Sequence, residues 1–221
     1  MEVAMKRLLV VTLALMLVLA FAAMAQETEG GKLGYGFKAG IGFSKWTGSE
    51  LDTALIAAGA TKGSLFGIGG GALFEVKPAP SFAVQFEALY MLKGVKYSEG
   101  SATAKFKLSY IEIPVTLHVV PNVKGMLKPN IFAGPYVGFL ASAKLKGEGG
   151  GASAEVDVKD AFKSTDFGVT FGAGFDYMVG KNAITFDARY DLGLSKIWDS
   201  LIGLEGKNTA FYFMLGYKFM Q

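Results

Sequence analysis

The sequence predicts an all-β fold, an eight-stranded antiparallel closed transmembrane β-barrel. The first observation is a series of segments in which bulky apolar residues alternate with small or polar ones, which is the period of a β-strand. The second is that one face of these segments carries Phe, Tyr, Ile and Leu, while the other carries many of the 30 glycines. The third is the alternation of short turns with long connections, which is typical of barrels that cross a membrane.

The N-terminal residues have the pattern of an export signal. A basic pair at Lys6 and Arg7 precedes a long apolar run, and Ala23-Met24-Ala25 provides a small-residue cleavage site. We therefore expect residues 1–25 to be a cleaved signal peptide and residues 26–221 to form the barrel. The apolar run is also nearly long enough to be an uncleaved membrane anchor. In both cases the rest of the chain is exported.

The composition excludes several classes of site. The chain has no cysteine, which removes disulfides and thiolate metal sites, and its single histidine excludes sites built from several histidines. A net charge of +3 is too small to indicate nucleic-acid binding. No second run of 18 apolar residues follows the export signal, so a helical membrane protein is excluded as well.

Eight segments alternate with the strand period, and each has about the length that crosses a bilayer as a tilted strand, roughly 9 to 11 residues. In Phe167–Tyr177 the odd positions are all apolar, and the even positions are Gly, Thr or Asp. The fourth segment loses its alternation at Tyr110 and Ile111, which predicts a β-bulge. The eight segments are Leu33–Phe43, Leu65–Val76, Phe82–Lys93, Phe106–Val120, Ile131–Ala143, Phe167–Tyr177, Ile184–Leu194 and Ala210–Met220.

Three long connections, Trp46–Gly63, Leu145–Thr165 and Ser195–Asn208, are expected to be loops at one end of the barrel. In the first, Ser49 as N-cap and Gly59 as a stop predict a short helix. The last loop carries apolar side chains that either pack over the barrel mouth or form a contact patch for a partner. These side chains are Ile197, Trp198, Leu201, Ile202 and Leu204.

The volumes of the two faces decide which one points outward. An eight-stranded barrel has room inside only for packed side chains or one small ligand, so the bulky face points into lipid and the glycine face into the lumen. A soluble ligand-binding barrel would instead need an outer face covered with polar side chains. This facing predicts that Gly172→Ser is tolerated better than Phe171→Arg.

The lumen is then expected to be polar and of mixed charge. Lys38, Glu87, Glu112 and Arg189 all fall near mid-strand on the inward face, which predicts a closed charge network across the barrel axis. Aromatic residues at the strand ends are expected to form two girdles at the membrane surfaces. One girdle would contain Tyr35, Phe82, Tyr177, Tyr217 and Phe219, and the other Trp46, Tyr90 and Trp198.

Several stretches resemble the PorT-like outer-membrane β-barrel proteins, a group similar in architecture to the small OmpA-type and OmpX-type barrels. The resemblance rests on Tyr-x-Glu-Ile-Pro at Tyr110–Pro114, Gly-Pro-Tyr at Gly134–Tyr136 and Ala-Arg-Tyr at Ala188–Tyr190. It covers essentially the whole mature chain and implies a barrel in the bacterial outer membrane. The family's named member is similar to a secretion component, and most members have no assigned activity.

Two motifs could indicate chemistry. The stretch GIGGGA at Gly67–Ala72 matches a dinucleotide-binding pattern, but a strand follows it where a helix is required, so its glycines are expected to face the lumen. His118 would suit a lipid-modifying hydrolase only if it faced lipid beside a serine. It is expected instead to be an interior polar residue, and we expect no cofactor, metal site or catalytic residue.

The sequence therefore predicts a non-enzymatic outer-membrane barrel with a plugged polar lumen that displays surface loops for structural or interaction roles. The alternatives are a small pore for ions or solutes and a lipid-modifying enzyme. The expected partners are outer-membrane lipid, the barrel assembly machinery during biogenesis, and an unknown surface or periplasmic protein. Nucleic acid is not expected.

Overall fold

The computed structural model describes residues 32–199 and 204–221. The predicted signal peptide lies outside these residues. The described part contains nine strands, one α-helix and a 3-10 turn at Lys159–Ala161. The elements are β1 (Lys32–Thr47), α1 (Glu50–Ala57), β2 (Thr61–Ala79), β3 (Phe82–Glu99), β4 (Ala102–Val119), β5 (Leu127–Gly149), β6 (Ala152–Asp157), β7 (Thr165–Val179), β8 (Asn182–Gly193) and β9 (Lys207–Met220).

Eight of these strands close into a ring in which every neighbouring pair is antiparallel. The order around the ring is β1, β2, β3, β4, β5, β7, β8, β9, and β9 pairs again with β1 from Gly34↔Met220 to Thr47↔Lys207. The predicted eight-stranded closed barrel is confirmed. Strand β6 is additional and pairs only with the end of β5. Among the described residues, no helix is long and apolar enough to cross a membrane.

The outward face carries an apolar belt. Phe37, Ile41, Phe171 and Leu215 are 59, 53, 44 and 60% exposed, and similar side chains stand outward on all eight barrel strands. At the level of the belt, the charged side chains of these strands, such as Lys38, Glu87 and Arg189, point inward and are buried. The predicted facing therefore agrees with the structure, and the belt is the surface that contacts lipid.

Several strands continue well beyond the belt on the side of the long connections, which we call the long-loop end. Strand β5 has 23 residues, roughly twice the 9 to 11 that cross a bilayer. Beyond the belt the two faces exchange character: Lys105 and Lys107 stand outward, while Leu108 and Val95 are buried inside. We call this part of β2 to β6 the outer extension. It is folded like a water-soluble sheet, with its apolar face inside.

This exchange corrects one expectation, that of a loop, and explains the change of pattern at the bulge predicted in β4. The segment Leu145–Thr165 was expected to be a loop, but its first part forms the β5–β6 hairpin of the outer extension. The two faces of β4 do not exchange sides at Tyr110 and Ile111, because Leu108, Tyr110 and Glu112 all face inward. The change of pattern marks the level at which the interior changes from polar to apolar. A bulge does occur there, and its extra residue is Ala141 of β5.

The structure also corrects the expected tolerance of Gly172. A Cβ atom at this position would lie 2.2 Å from the backbone oxygen of Ala188 and 2.6 Å from the ring of Phe132. Contacts this short require the neighbouring strand to move, so Gly172→Ser is disruptive and cannot serve as a mild control. The lumen is too full at this level to accept even one more carbon atom.

Phe171→Arg is expected to impair insertion, because a charge on the lipid face near the middle of the bilayer costs about 2 to 4 kcal/mol. The matched control is Val156→Arg on β6, beyond the belt, where the side chain is 60% exposed to water. The measurement is the fraction of unboiled protein that migrates as folded barrel on a gel, together with the urea midpoint in lipid vesicles. Equal behaviour of the two variants would contradict the position of the belt.

Candidate functional site

The lumen holds a continuous row of buried charged side chains, the charge ladder. Lys38 Nζ lies 2.5 Å from Asp187 Oδ2 and 2.6 Å from Glu87 Oε1. The second oxygen of Glu87 accepts from Arg189 at 2.8 Å, and Arg189 Nε lies 3.2 Å from Asp191. The row therefore alternates in sign from one side chain to the next.

Lys93 extends the ladder beyond Asp191. Its Nζ lies 3.2 Å from Asp191 Oδ2 and 2.6 Å from Glu112 Oε1, and it also stands 4.5 Å from the centre of the Tyr136 ring. The ladder thus contains three cations and four carboxylates, and each of their side chains is at most 3% exposed. No bulk water can screen these charges.

Two contacts of the ladder span the full width of the barrel. Strands β3 and β8 are four places apart in the ring of eight, so they face each other across the axis. Arg189 of β8 contacts Glu87 of β3, and Asp191 of β8 contacts Lys93 of β3. Side chains from opposite walls therefore meet at this level.

The four residues predicted to form the network are all buried in the lumen, but they do not form one cluster by themselves. Lys38 and Arg189 both contact Glu87. Glu112 contacts neither cation and joins the ladder through Lys93, which was not part of the predicted network. Asp187 and Asp191 were also missed as members. Their period-two spacing with Arg189 on one face of β8 was the available signal.

A second group of polar residues lies nearer the short turns. Lys218 Nζ lies 2.9 Å from Glu75 Oε2 and 2.6 Å from Asp176 Oδ2. His118 is 4% exposed, stacks on Phe132 with ring centres 4.8 Å apart, and bonds to the hydroxyl of Thr116 at 3.0 Å. This geometry places His118 inside the barrel, away from lipid, and its hydroxyl neighbour belongs to a threonine.

An apolar cluster of buried side chains lies on the long-loop side of the charge ladder. We call its aromatic part the aromatic plug, which consists of Trp46, Tyr97, Phe106, Phe162 and Trp198. Trp198 stacks on Phe162 with ring centres 4.4 Å apart and meets Trp46 edge-on at 5.3 Å. Burial of several large rings at one level is a strong stabilising contribution, because each aromatic side chain removes a large apolar area from water.

The aromatic plug changes the interpretation of two sets of residues. Trp46 is fully buried and Trp198 is 5% exposed, so neither belongs to a girdle at the membrane surface. Ile197 is 1% exposed and Leu204 packs partly buried against the same cluster, so the loop residues described by the structure pack over the mouth and do not form an exposed patch. Leu201 and Ile202 lie outside the described residues.

The connections at the mouth are fastened to one another and to the wall. Lys163 N donates to the carbonyl of Ile197, and Asp199 N donates to that of Ala161. Helix α1, which the sequence predicted, is held by Asp52, whose carboxylate accepts from Tyr97 Oη and Lys62 Nζ at 2.5 Å each. The long connections therefore form one packed lid.

The arrangement offers little for catalysis or metal binding. Within the described ranges, no group of three or more His, Cys, Asp or Glu side chains is placed to hold a metal ion. The carboxylates of the charge ladder are each paired with cations, and their side chains are buried. What this site can do is hold the walls together and fill the lumen.

Comparison with solved structures finds several similar proteins, of which the first described here shows the same fold. The crystal structure of Neisserial surface protein A is 14% identical with a TM-score of 0.51, and the match covers 86% of this chain and 99% of that one. OprG from Pseudomonas aeruginosa is 16% identical with a TM-score of 0.43, covering 86% and 95%. Ail, the attachment invasion locus protein of Yersinia pestis, is 16% identical with a TM-score of 0.37, covering 84% and 98%. No curated protein sequence matches the chain.

The sequence itself matches a protein family. Residues 24–199 fit the family described as outer membrane protein beta-barrel domain. This match spans well over half of the chain and agrees with the closed ring and the apolar belt. The protein therefore belongs to the outer membrane protein beta-barrel domain family and lies in the bacterial outer membrane.

Proposed function

We propose that this protein is a non-enzymatic barrel whose lumen is closed, and that it serves to anchor and present its outer extension at the cell surface. The observation that carries the proposal is the pair of ionic contacts, Arg189 to Glu87 and Lys93 to Asp191, that join opposite walls. A pore needs a continuous path of water, and side chains that meet across the axis interrupt it.

The aromatic plug supports the same function from the other side of the ladder. Rings from β1, β3 and β4 meet rings from two connecting segments, so the outer extension and the barrel share one apolar interior. A lid that is packed into the wall is suited to display, because it keeps a fixed shape. The more specific kinship to PorT-like proteins, and a protein partner at the surface or in the periplasm, are part of this proposal and rest on the sequence resemblance.

Arg189→Met is expected to destabilise the barrel by about 3 to 5 kcal/mol, because it leaves Glu87 and Asp191 buried with one cation fewer. The measurement is the urea midpoint of the purified protein in lipid vesicles. Lys196→Met is the matched control, since Lys196 pairs with Glu205 at a site where both side chains are about half exposed. The control is expected to unfold at the wild-type midpoint. An unaltered midpoint for Arg189→Met would indicate that water screens the ladder.

Planar bilayers that contain the purified protein are expected to show no steady conductance, because the lumen is blocked by both the ladder and the plug. Insertion is verified independently by the slower or faster migration of unboiled protein recovered from the same vesicles. Stable single-channel steps from verified barrels, together with a silent Arg189→Met, would replace this proposal by the pore alternative.

A further inference from the structure

The outward face of the outer extension carries an unusual group of lysines on three adjacent strands. We call it the lysine patch, and it consists of Lys96 on β3, Lys105 and Lys107 on β4, and Lys144 and Lys146 on β5. None of these residues contributes to the lumen or to the plug. The patch is therefore not accounted for by the closure of the barrel.

The strand register places like charges side by side. Lys105 lies directly opposite Lys96 on one side and Lys146 on the other, and Lys107 lies opposite Lys144. Residues opposite each other on neighbouring strands have Cβ atoms roughly 4.5 to 5.5 Å apart, and like charges in such pairs are destabilising. These opposed lysines therefore destabilise the outer extension unless anions lie beside them.

The carboxylates nearby neutralise only part of this charge. Glu148 contacts Lys105 at 2.6 Å and Lys146 at 2.7 Å, and hydrogen bonds from both lysines lower the pKa of Glu148 to about 2. Glu155 is likewise shared between Lys107 at 3.2 Å and Lys144 at 2.8 Å. Each glutamate thus serves two lysines.

Lys96 has no ion pair among the described residues. Asp157, opposite Lys144 in the register, is the one further carboxylate on this face of β6. Five ammonium groups therefore stand against three carboxylates, which leaves an excess of positive charge on the patch.

The part of the patch nearest the belt, Lys107 and Lys144, lies close to the level of lipid headgroups. Lys107 is four residues beyond Ile111, an outward residue of the apolar belt, and Lys144 is three residues beyond Ala141. At about 3.3 Å per residue on tilted strands, these lysines stand roughly 7 to 10 Å above the belt. The headgroup layer is about 5 to 8 Å thick on each side of the bilayer. A flexible lysine side chain can bridge the small remaining distance.

We propose that the lysine patch binds the phosphate groups of phosphorylated lipids in the outer leaflet around the barrel. Short turns face the periplasm in such barrels and long loops face outward, which places the patch on the outer leaflet. A lipid is the favoured source of phosphate because it is held beside the patch by its own acyl chains on the apolar belt. The proposal depends on the membrane position of the barrel and not on closure of the lumen.

The test is native mass spectrometry of the full barrel in neutral detergent with equal amounts of diphosphorylated lipid A and phosphatidylethanolamine. The wild-type protein is expected to retain lipid A preferentially. In the double variant Lys107→Gln/Lys144→Gln, the ratio of retained lipid A to retained phosphatidylethanolamine is expected to fall at least tenfold. Each lysine near an anionic lipid surface contributes about fivefold to binding. Unboiled gel migration confirms that each variant is folded.

The matched control is Lys124→Gln/Lys181→Gln, which removes the same charge from exposed lysines near the short turns. If the patch variant and the control variant lose the preference for lipid A equally, the proposal is overturned, because the net charge of the protein would then explain the preference. Inorganic phosphate alone is titrated calorimetrically against the wild-type protein. Saturable binding that the patch variant loses would assign the site to soluble phosphate and would also overturn the proposal.

Discussion

Closure of the backbone hydrogen-bond ladder is the constraint on which the rest of this structure depends. A strand edge in hydrocarbon would leave its N–H and C=O groups without partners, so β1 must pair with β9 over the whole membrane-spanning region. With eight strands the closed ring is narrow. The inward charges cannot be solvated by bulk water in so narrow a space, and they therefore have to solvate one another, as Arg189 and Glu87 do across the axis.

The chain combines two kinds of β-structure along the same strands. Within the belt, the outer solvent is lipid and the interior is polar, whereas in the outer extension the outer solvent is water and the interior is apolar. Strand β4 passes through both, with Ile111 and Leu117 exposed outward below and Leu108 buried inside above. The transition needs no turn or domain boundary, because the backbone alternates in the same way on both sides and only the residue types exchange.

This continuity explains what the sequence could and could not predict. The alternation in Phe167–Tyr177 identified a strand, its facing and the barrel, since bulky and glycine faces differ in volume. The same alternation does not show where along a strand the outer solvent changes from lipid to water. Trp46 and Trp198 were therefore assigned to a lipid girdle although they are buried in the plug. The contact between Glu112 and Lys93 was missed because Lys93 lies nearer the long-loop end of the barrel than Glu112 does. A period-two pattern does not show how far a long side chain extends along the barrel axis.

The β5–β6 hairpin has a consequence for how the surface of this protein can vary. Its tip, Gly150 and Gly151, has positive φ angles of 57° and 81°, and a Cβ at either position would meet no atom within 4 Å. The turn between β3 and β4 is similar, since Gly100 has a φ angle of 54° and a Cβ there would meet no atom within 4 Å. The described parts of the long connections are instead fastened into the plug through Asp52, Phe162 and Trp198. Changes in length and sequence that leave the interior intact are thus expected at these two tips. The positions most open to change are thus at the end of the outer extension that lies away from the belt.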